Sequence, residues 1–269
     1  MIDNFQFKEK YTVSDLVDIV EILRSPEGCP WDREQNHKSI RRDFLEETYE
    51  VIEAINKEDK DLLLEELGDV LLQVVFHTQI EREKGTFELS DVADGICKKM
   101  IERHPHVFGD VNAETSEQVL ENWDVIKKRT KQQKSQTESM LSIPREFPAL
   151  MRADKVQKKA SKVGFDWDSA DGAFDKVNEE LKELQDAYKE GNEEHIREEL
   201  GDLLFSVVNV SRFVKVDSEE ALTNSTDKFI NRFSKVEKMA DEQGLDMKNT
   251  DLATLDKLWD MAKKDDSSF

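Results

Sequence analysis

Residues 179–202 read EELKELQDAYKEGNEEHIREELGD, with acidic residues grouped at both ends of the stretch. Glu180 and Glu183 are three apart, as are Glu199 and Asp202, and residues three apart share one face of a helix. The stretch predicts two consecutive helices, and antiparallel packing would bring these four carboxylates together. Four carboxylates repel one another strongly unless a cation lies among them. Because hard oxygen ligands suit Mg²⁺, with Mn²⁺ as a substitute, we expect a metal site here.

Residues 46–69 read EETYEVIEAINKEDKDLLLEELGD and repeat the same acidic spacing. The corresponding residues, which predict a second possible metal site, are Glu47, Glu50, Glu66 and Asp69. With 60 acidic residues in a chain of 269, a solvated acidic face is the alternative interpretation. In both copies, however, the second acidic group runs directly into apolar sequence, and carboxylates at the start of a buried helix need a partner. The repeat and its apolar flanks favour metal binding.

The composition indicates an all-α protein, because Glu, Lys and Leu are abundant while the chain has 10 glycines and 5 prolines. The formal net charge of −21 argues against a broad nucleic-acid-binding surface, which needs a basic footprint. The sequence shows no signal peptide and no run of about 18 apolar residues that could span a membrane. The two cysteines, Cys29 and Cys97, have no CxxC spacing, which gives no zinc signature and fits a reducing cytoplasm.

The internal repeat divides the chain into two helical-bundle domains. We expect the first domain at 1–130, a polar linker at 131–145 and the second domain at 146–269. The predicted helices cover about 12–24, 38–56, 59–83, 89–103 and 115–133 in the first domain, and about 147–162, 173–190, 193–213, 219–242 and 252–264 in the second. The helices at 59–83 and 193–213 are apolar nearly all round. Homodimerisation, or docking of the two halves, would bury their remaining surface.

Basic and aromatic residues follow the acidic groups in the same order in both halves. In the second half, Lys228 and Arg232 are four apart, and so are Trp259 and Lys263. The first-half counterparts are Lys99 with Arg103 and Trp123 with Lys127. Lysine and arginine bind phosphate oxygens, and tryptophan offers a flat face on which a base can stack. Acids for a metal, cations for phosphates and an aromatic ring for a base together describe a nucleoside polyphosphate site.

Two positions distinguish the halves. Lys176 lies one helical turn before the second-half acidic group and is a further phosphate candidate, whereas its counterpart Asp43 would repel phosphate. Asn209 lies seven residues after Asp202 on the same face and could hydrogen-bond a sugar or a base, whereas its counterpart is Phe76. We therefore expect the main active site in the second half and a weaker or regulatory role for the first half.

The sequence resembles the MazG family of nucleoside triphosphate pyrophosphohydrolases in its two-domain form. The order Glu-Glu-x-x-Glu followed by Glu-x-x-Asp is similar to the signature of that family. The supporting motifs are Gly-Cys-Pro-Trp-Asp at 28–32, Arg-His-Pro-His-Val-Phe at 103–108 and Pro-Ala-Leu-Met-Arg-Ala at 148–153. The resemblance implies the all-α NTP pyrophosphatase fold, an intertwined dimer and Mg²⁺ dependence. It also implies hydrolysis of NTPs and dNTPs at the α–β bond to a monophosphate and pyrophosphate, in house-cleaning or control of the nucleotide pool.

The same resemblance assigns roles to residues of the second half. By the family pattern the metal ligands are Glu180, Glu183, Glu199 and Asp202, and the nucleotide contacts are Lys176, Lys228, Arg232 and Trp259. Spacing adds Lys263 and Asn209 as nucleotide-binding candidates. Glu179 and Glu198 adjoin the ligands and are the catalytic candidates, because either could orient the attacking water or take its proton. For these two residues a solvated surface position is an equal alternative.

Two other functions stay open at this point. A non-catalytic nucleotide sensor or helical interaction module could use the same pocket, and turnover with Mg²⁺ separates it from an enzyme. A related all-α pyrophosphatase could act on dUTP or phosphoribosyl-ATP, and a panel of substrates separates these. The base preference is also open, as is the choice among standard, damaged and alarmone nucleotides. The readable contacts all go to phosphate or to an unspecific ring face.

Overall fold

The computed structural model of the chain describes residues 5–119, 122–123, 126 and 135–266. All regular secondary structure in these residues is helical, which confirms the predicted all-α class. The chain divides into two compact units, residues 1–127 and 128–269. Among the described helices, none combines the length and the hydropathy needed to cross a membrane.

The first unit has the first four predicted helices in the predicted order, together with two short helices, Pro30–Glu34 and Pro105–Phe108, that the sequence analysis did not predict. Its helices are α1 (Val13–Arg24), α2 (Pro30–Glu34), α3 (Arg41–Asn56), α4 (Lys60–Glu83), α5 (Leu89–Arg103) and α6 (Pro105–Phe108). Helix α1 begins at a capping box between Thr12 and Asp15, within the predicted range of 12–24. Three residues connect α3 to α4, and these two helices pack on each other. Most of the helix predicted at 115–133, including Lys127, lies outside the described residues.

The first unit has one cluster of buried apolar side chains. It consists of Val20, Ile40, Val75, Phe76 and Ile80, contributed by α1, α4 and the residue that precedes α3. The guanidinium of the buried Arg24 lies 5.2 Å from the centre of the Phe76 ring. Its Nε donates to Glu83 at 2.7 Å, and its Nη1 donates to the carbonyls of Asp32 at 2.6 Å and Gln35 at 3.1 Å. Arg24 therefore joins the C-terminal end of α2 to the end of α4.

The second unit repeats the paired helices and ends in a further helix pair, Ser218–Glu242 and Leu252–Asp266, which we call the extension. Its helices are α7 (Gln136–Leu141), α8 (Ala149–Ser161), α9 (Ala170–Glu190), α10 (Glu193–Phe213), α11 (Ser218–Glu242) and α12 (Leu252–Asp266). Gly191 ends α9 in the left-handed region at φ 71°, which glycine adopts without steric cost. The Asn192 side chain then caps α10. This short connection places α9 against α10.

Part of the segment predicted as a linker is helical. Ser135 caps α7, and α7 packs on α8. The Gln136 side chain donates to the carbonyl of Lys159, whose Nζ donates to the buried Ser139 hydroxyl. Because these partners lie about 20 residues along the chain, the polar composition of the segment alone did not predict α7. The domain limits themselves stay predictions, and residues 131–134 lie outside the described part of the chain.

Candidate active site

The α9–α10 pair brings three of the predicted metal ligands together. One carboxylate oxygen each from Glu180, Glu199 and Asp202 lies within 4.8 Å of the other two. Glu180 is 5% exposed and Glu199 is 9% exposed, whereas Asp202 lies at the surface. A solvated acidic face would expose all of its carboxylates. The burial of Glu180 and Glu199 therefore contradicts that alternative for these two residues.

Glu183, the fourth predicted ligand, is electrostatically part of the same group. Desolvation is the first cause that raises its pKa, and the negative charges of Glu180 and Glu199 raise it further. A cation among these oxygens would relieve both effects, because it favours the ionised carboxylates. The donor set consists of hard oxygens, which are the ligands that Mg²⁺ and Mn²⁺ prefer. The residues present therefore fit such an ion.

Two basic side chains contact the second-unit acidic group. Lys176 Nζ lies 2.6 Å from Glu180 Oε1 and 3.0 Å from Glu179 Oε1, and these contacts raise the pKa of Lys176. His195 Nε2 lies 3.0 Å from Glu199 Oε1. The sequence analysis missed His195, although its position four residues before Glu199 was a readable signal. Lys176 thus lies at the site as expected and is paired with a predicted ligand and a predicted catalytic residue.

The first-unit acidic group has the same geometry and different surroundings. Ligand oxygens of Glu47, Glu66 and Asp69 lie within 4.8 Å of one another. Burial raises the pKa of Glu47 to about 7, with help from its hydrogen bond to Glu50 and from the neighbouring carboxylates. The pKa of Glu66 is raised by the same kinds of cause, with burial first. At the position of Lys176 the first unit has Asp43, so the lysine contact of the second unit has no counterpart there.

The remaining basic and aromatic candidates lie on the extension. Lys228 and Arg232 belong to α11, and Trp259 and Lys263 belong to α12, which packs on α11. The Trp259 ring packs against the small core of this helix pair, and its centre is 5.0 Å from that of Phe229. Lys263 Nζ lies 3.1 Å from Asp260 Oδ1. Trp259 thus packs within the extension, and a place for these four residues at the acidic group stays a prediction.

The other predicted residues lie on α9 and α10. Asn209 is half-buried, and its Oδ1 accepts from Arg212 Nε at 3.1 Å and Nη2 at 2.8 Å, which leaves its amide nitrogen for a ligand. Arg212 also binds both carboxylate oxygens of Asp166. Glu179 and Glu198 are exposed beside the ligands, which fits a catalytic role and a solvated surface position equally. Their roles as proton acceptors are untested predictions.

Known proteins resemble the chain over nearly its full length. Residues 35–108 and 172–237 match the model of the MazG nucleotide pyrophosphohydrolase domain. A nucleoside triphosphate pyrophosphohydrolase/pyrophosphatase MazG of Thermotoga maritima is 47% identical over 254 residues, which cover 94% of this chain and 96% of that protein. A nucleoside triphosphate pyrophosphohydrolase of Escherichia coli K12 is 44% identical over 255 residues, covering 94% and 97%. Protein YabN of Bacillus subtilis is 48% identical over 249 residues, covering 91% of this chain and 50% of YabN.

The two matched segments correspond to the two acidic groups. Residues 35–108 contain Glu47 to Asp69, and residues 172–237 contain Glu180 to Asp202. The match therefore confirms the resemblance and the two-domain form that the repeat predicted. The chain belongs to the MazG nucleotide pyrophosphohydrolase family.

Proposed function

We propose that the chain hydrolyses NTPs and dNTPs at the α–β bond, releasing a nucleoside monophosphate and pyrophosphate, in an Mg²⁺-dependent reaction. The main support for the proposal is that one carboxylate oxygen each from Glu180, Glu199 and Asp202 lies within 4.8 Å of the other two. Glu180 and Glu199 are also buried. The Thermotoga and Escherichia relatives, which are named nucleoside triphosphate pyrophosphohydrolases, support the class of reaction. The second unit is proposed as the main active site.

The acidic group is proposed to hold the metal. The ligands would be Glu180, Glu183, Glu199 and Asp202, with Mn²⁺ as a possible substitute for Mg²⁺. When bound, the ion neutralises negative charge on the phosphate oxygens. The repulsion that raises the pKa of Glu183 supports this assignment, because a cation would remove the repulsion.

The basic residues are proposed to orient the triphosphate. Lys176 exchanges its contact with Glu179 for a phosphate oxygen, since both are anionic acceptors of similar strength. Further contacts predicted by the family pattern or by spacing come from Lys228, Arg232, Lys263, Trp259 and Asn209. The exposed carboxylate of Glu179 or Glu198 orients the attacking water and accepts its proton.

The assembly is proposed to be a homodimer. Within the second unit, α10 exposes Leu200, Leu204 and Val207 at 47%, 50% and 45%. Apolar side chains in a row on one helix are expected to be buried by a partner, and a second copy of the chain offers the same face. The free cysteines Cys29 and Cys97 support a reducing cytoplasm as the working compartment.

The first unit is proposed to have a weaker or regulatory role. It keeps the acidic geometry, so it can still bind a cation. Asp43 would repel a phosphate that Lys176 attracts in the second unit.

Product analysis tests this proposal. Wild-type protein, Glu180→Gln and the matched Glu47→Gln would each be incubated with four NTPs and Mg²⁺, and the products followed by ³¹P NMR. We expect monophosphate and pyrophosphate from the wild type, a loss of about a thousandfold in Glu180→Gln and little change in Glu47→Gln. Equal losses in both variants would contradict the assignment to the second unit. Binding of NTPs without turnover by the wild type would indicate a nucleotide sensor instead.

A further inference from the structure

Two histidines of the first unit meet away from its acidic group. His37 lies in the segment between α2 and α3, and His77 lies on α4. Their Nδ1 atoms are 2.7 Å apart, and the planes of the two rings differ by only 10°. His77 follows Asp69 by eight residues, which corresponds to roughly 12 Å along the helix. The histidine pair is therefore separate from the predicted metal ligands of the same unit.

Glu81 determines which nitrogen of His37 carries the hydrogen. The Oε1 atom of Glu81 lies 2.5 Å from His37 Nε2. Contacts with Lys84, Thr86 and His37 lower the pKa of Glu81 to about 2, so its carboxylate is ionised and can only accept a hydrogen bond. In the neutral ring, Nε2 of His37 therefore carries the hydrogen, and Nδ1 presents a lone pair to His77.

Both rings are in the form that binds a metal ion. A histidine ligand of a metal commonly donates its other ring N–H to a carboxylate, and His37 already has this contact with Glu81. Burial, and then the neighbouring His37, lower the pKa of His77, which favours the neutral ring that metals require. The His37 side chain is 38% exposed and His77 is half-buried, so the pair borders solvent.

A metal ion fits between the rings after a small adjustment. Zn²⁺ binds imidazole nitrogen at about 2.0–2.1 Å, and tetrahedral geometry then places two such nitrogens roughly 3.4 Å apart. The Nδ1 atoms would separate by roughly 0.6 Å, and the hydrogen between them would move from His77 Nδ1 to its Nε2. No proton is lost, because both rings stay neutral. Arg24 donates to the carbonyl of Gln35 at 3.1 Å, so the chain just before His37 is already held.

We propose that His37 Nδ1 and His77 Nδ1 bind one divalent ion of the class that prefers imidazole, represented by Zn²⁺, with water completing the coordination. Mg²⁺ and Mn²⁺ prefer oxygen ligands and are proposed for the acidic groups instead. Glu81 is a positioning residue, because it orients His37. The ion would join the segment before α3 to the end of α4. The second unit has Val210 and Val214 at the positions of His77 and Glu81, so the pair belongs to the first unit.

A zinc titration of the full chain tests the site. The protein is stripped of metal, exchanged into buffer with excess Mg²⁺ to occupy the acidic groups, and titrated with ZnCl₂ by calorimetry. The variants are His77→Phe, His37→Asn and Glu81→Gln, and the control is His104→Asn. His104 is another first-unit histidine, and its Nδ1 lies 2.6 Å from the carbonyl oxygen of Met100. Circular dichroism shows which variants are folded.

We expect the wild type and His104→Asn to bind one Zn²⁺ that His77→Phe and His37→Asn do not bind. Glu81→Gln should bind this ion about tenfold more weakly, because the carboxylate behind a histidine ligand contributes about ten- to a hundredfold to metal affinity. The affinity of the wild type should fall as the pH drops through about 6, since protonated imidazole cannot bind a metal.

The ring nitrogens of the wild type give a readout that does not depend on any variant. In ¹⁵N NMR spectra, Zn²⁺ should shift the Nδ1 resonances of both His37 and His77. Unchanged resonances, or equal Zn²⁺ binding by the wild type and both folded histidine variants, would overturn the proposal and leave the pair as a hydrogen bond between two segments. Neither measurement uses turnover, so failure of the hydrolase proposal would not affect the result.

Discussion

The two acidic groups have the same spacing and the same helix pairing, yet different charges surround them. In the first unit, burial first, and then the neighbouring Glu50, raise the pKa of Glu47 to about 7. In the second unit, Lys176 and His195 contact buried carboxylates directly. The acidic pattern therefore specifies a helical pair that can hold a cation. The residues around the pattern determine whether an anionic substrate can approach as well.

The two units also differ at one position of the long helix, where the first unit has Phe76 and the second has Asn209. Phe76 closes the first core, and Arg24 packs over its ring. Asn209 takes that position in the second unit and borders a cavity of about 460 Å³. The first unit has a cavity of similar size, about 450 Å³, lined by Val75 and Gln79 of α4, so the units differ in which residues of the long helix border open space.

The largest effect is expected from exchanging the residues at this core position. Phe76→Asn removes a buried ring and buries an amide, so the free energy of unfolding of the first unit should fall by about 3 to 5 kcal/mol. Asn209→Phe fills space in the second unit and should change its stability less while lowering kcat/KM for NTPs. Thermal unfolding and pyrophosphate release measure the two outcomes. Equal destabilisation by both exchanges would show that the cavity is packed in solution.

An intermediate effect is expected from exchanging the charges beside the acidic groups. Lys176→Asp places a carboxylate next to Glu180 and removes a candidate phosphate contact, so kcat/KM should fall by about tenfold or more. The reciprocal Asp43→Lys should change turnover by less than about twofold if the second unit carries the main activity. Initial rates of pyrophosphate release measure both. A similar loss from Asp43→Lys would show that the first unit contributes directly to turnover.

The smallest effect is expected in the pH dependence of stability. The pKa of Glu47 is about 7 in the folded chain against its ordinary value of 4.5, so the folded state binds the extra proton between these values. In the metal chelator EDTA, stability should therefore fall as the pH rises from about 4.5 to about 7. Added Mg²⁺ should oppose the loss.

The matched variant for this pH effect is Glu47→Gln, which cannot ionise. It should reduce the pH dependence of the first-unit melting temperature by a few degrees across that range, measured by circular dichroism. An unchanged pH dependence in Glu47→Gln would assign the effect to other carboxylates.

The sequence predicted the parts of the site that depend on local spacing. The three-residue spacing of Glu199 and Asp202 placed both on one face of α10, and the apolar flanks predicted the burial of Glu199. The sequence did not predict contacts between distant segments. Gln157 meets the carbonyl of Phe205 across 48 residues, and no periodic pattern records such a partner. For Trp259, the spacing predicted the helix face on which the side chain lies but did not predict that the ring packs against Phe229.

The short connection between α9 and α10 has a consequence for folding kinetics. Gly191 and Asn192 reverse the chain, so the buried Glu180 and Glu199 come from one hairpin of consecutive helices. Contacts that are local in sequence form early during folding. We expect this hairpin to form early, so that repulsion between its carboxylates raises the folding barrier. A divalent cation in the medium would lower this barrier, so the ion proposed for turnover would also speed the folding of the chain that binds it.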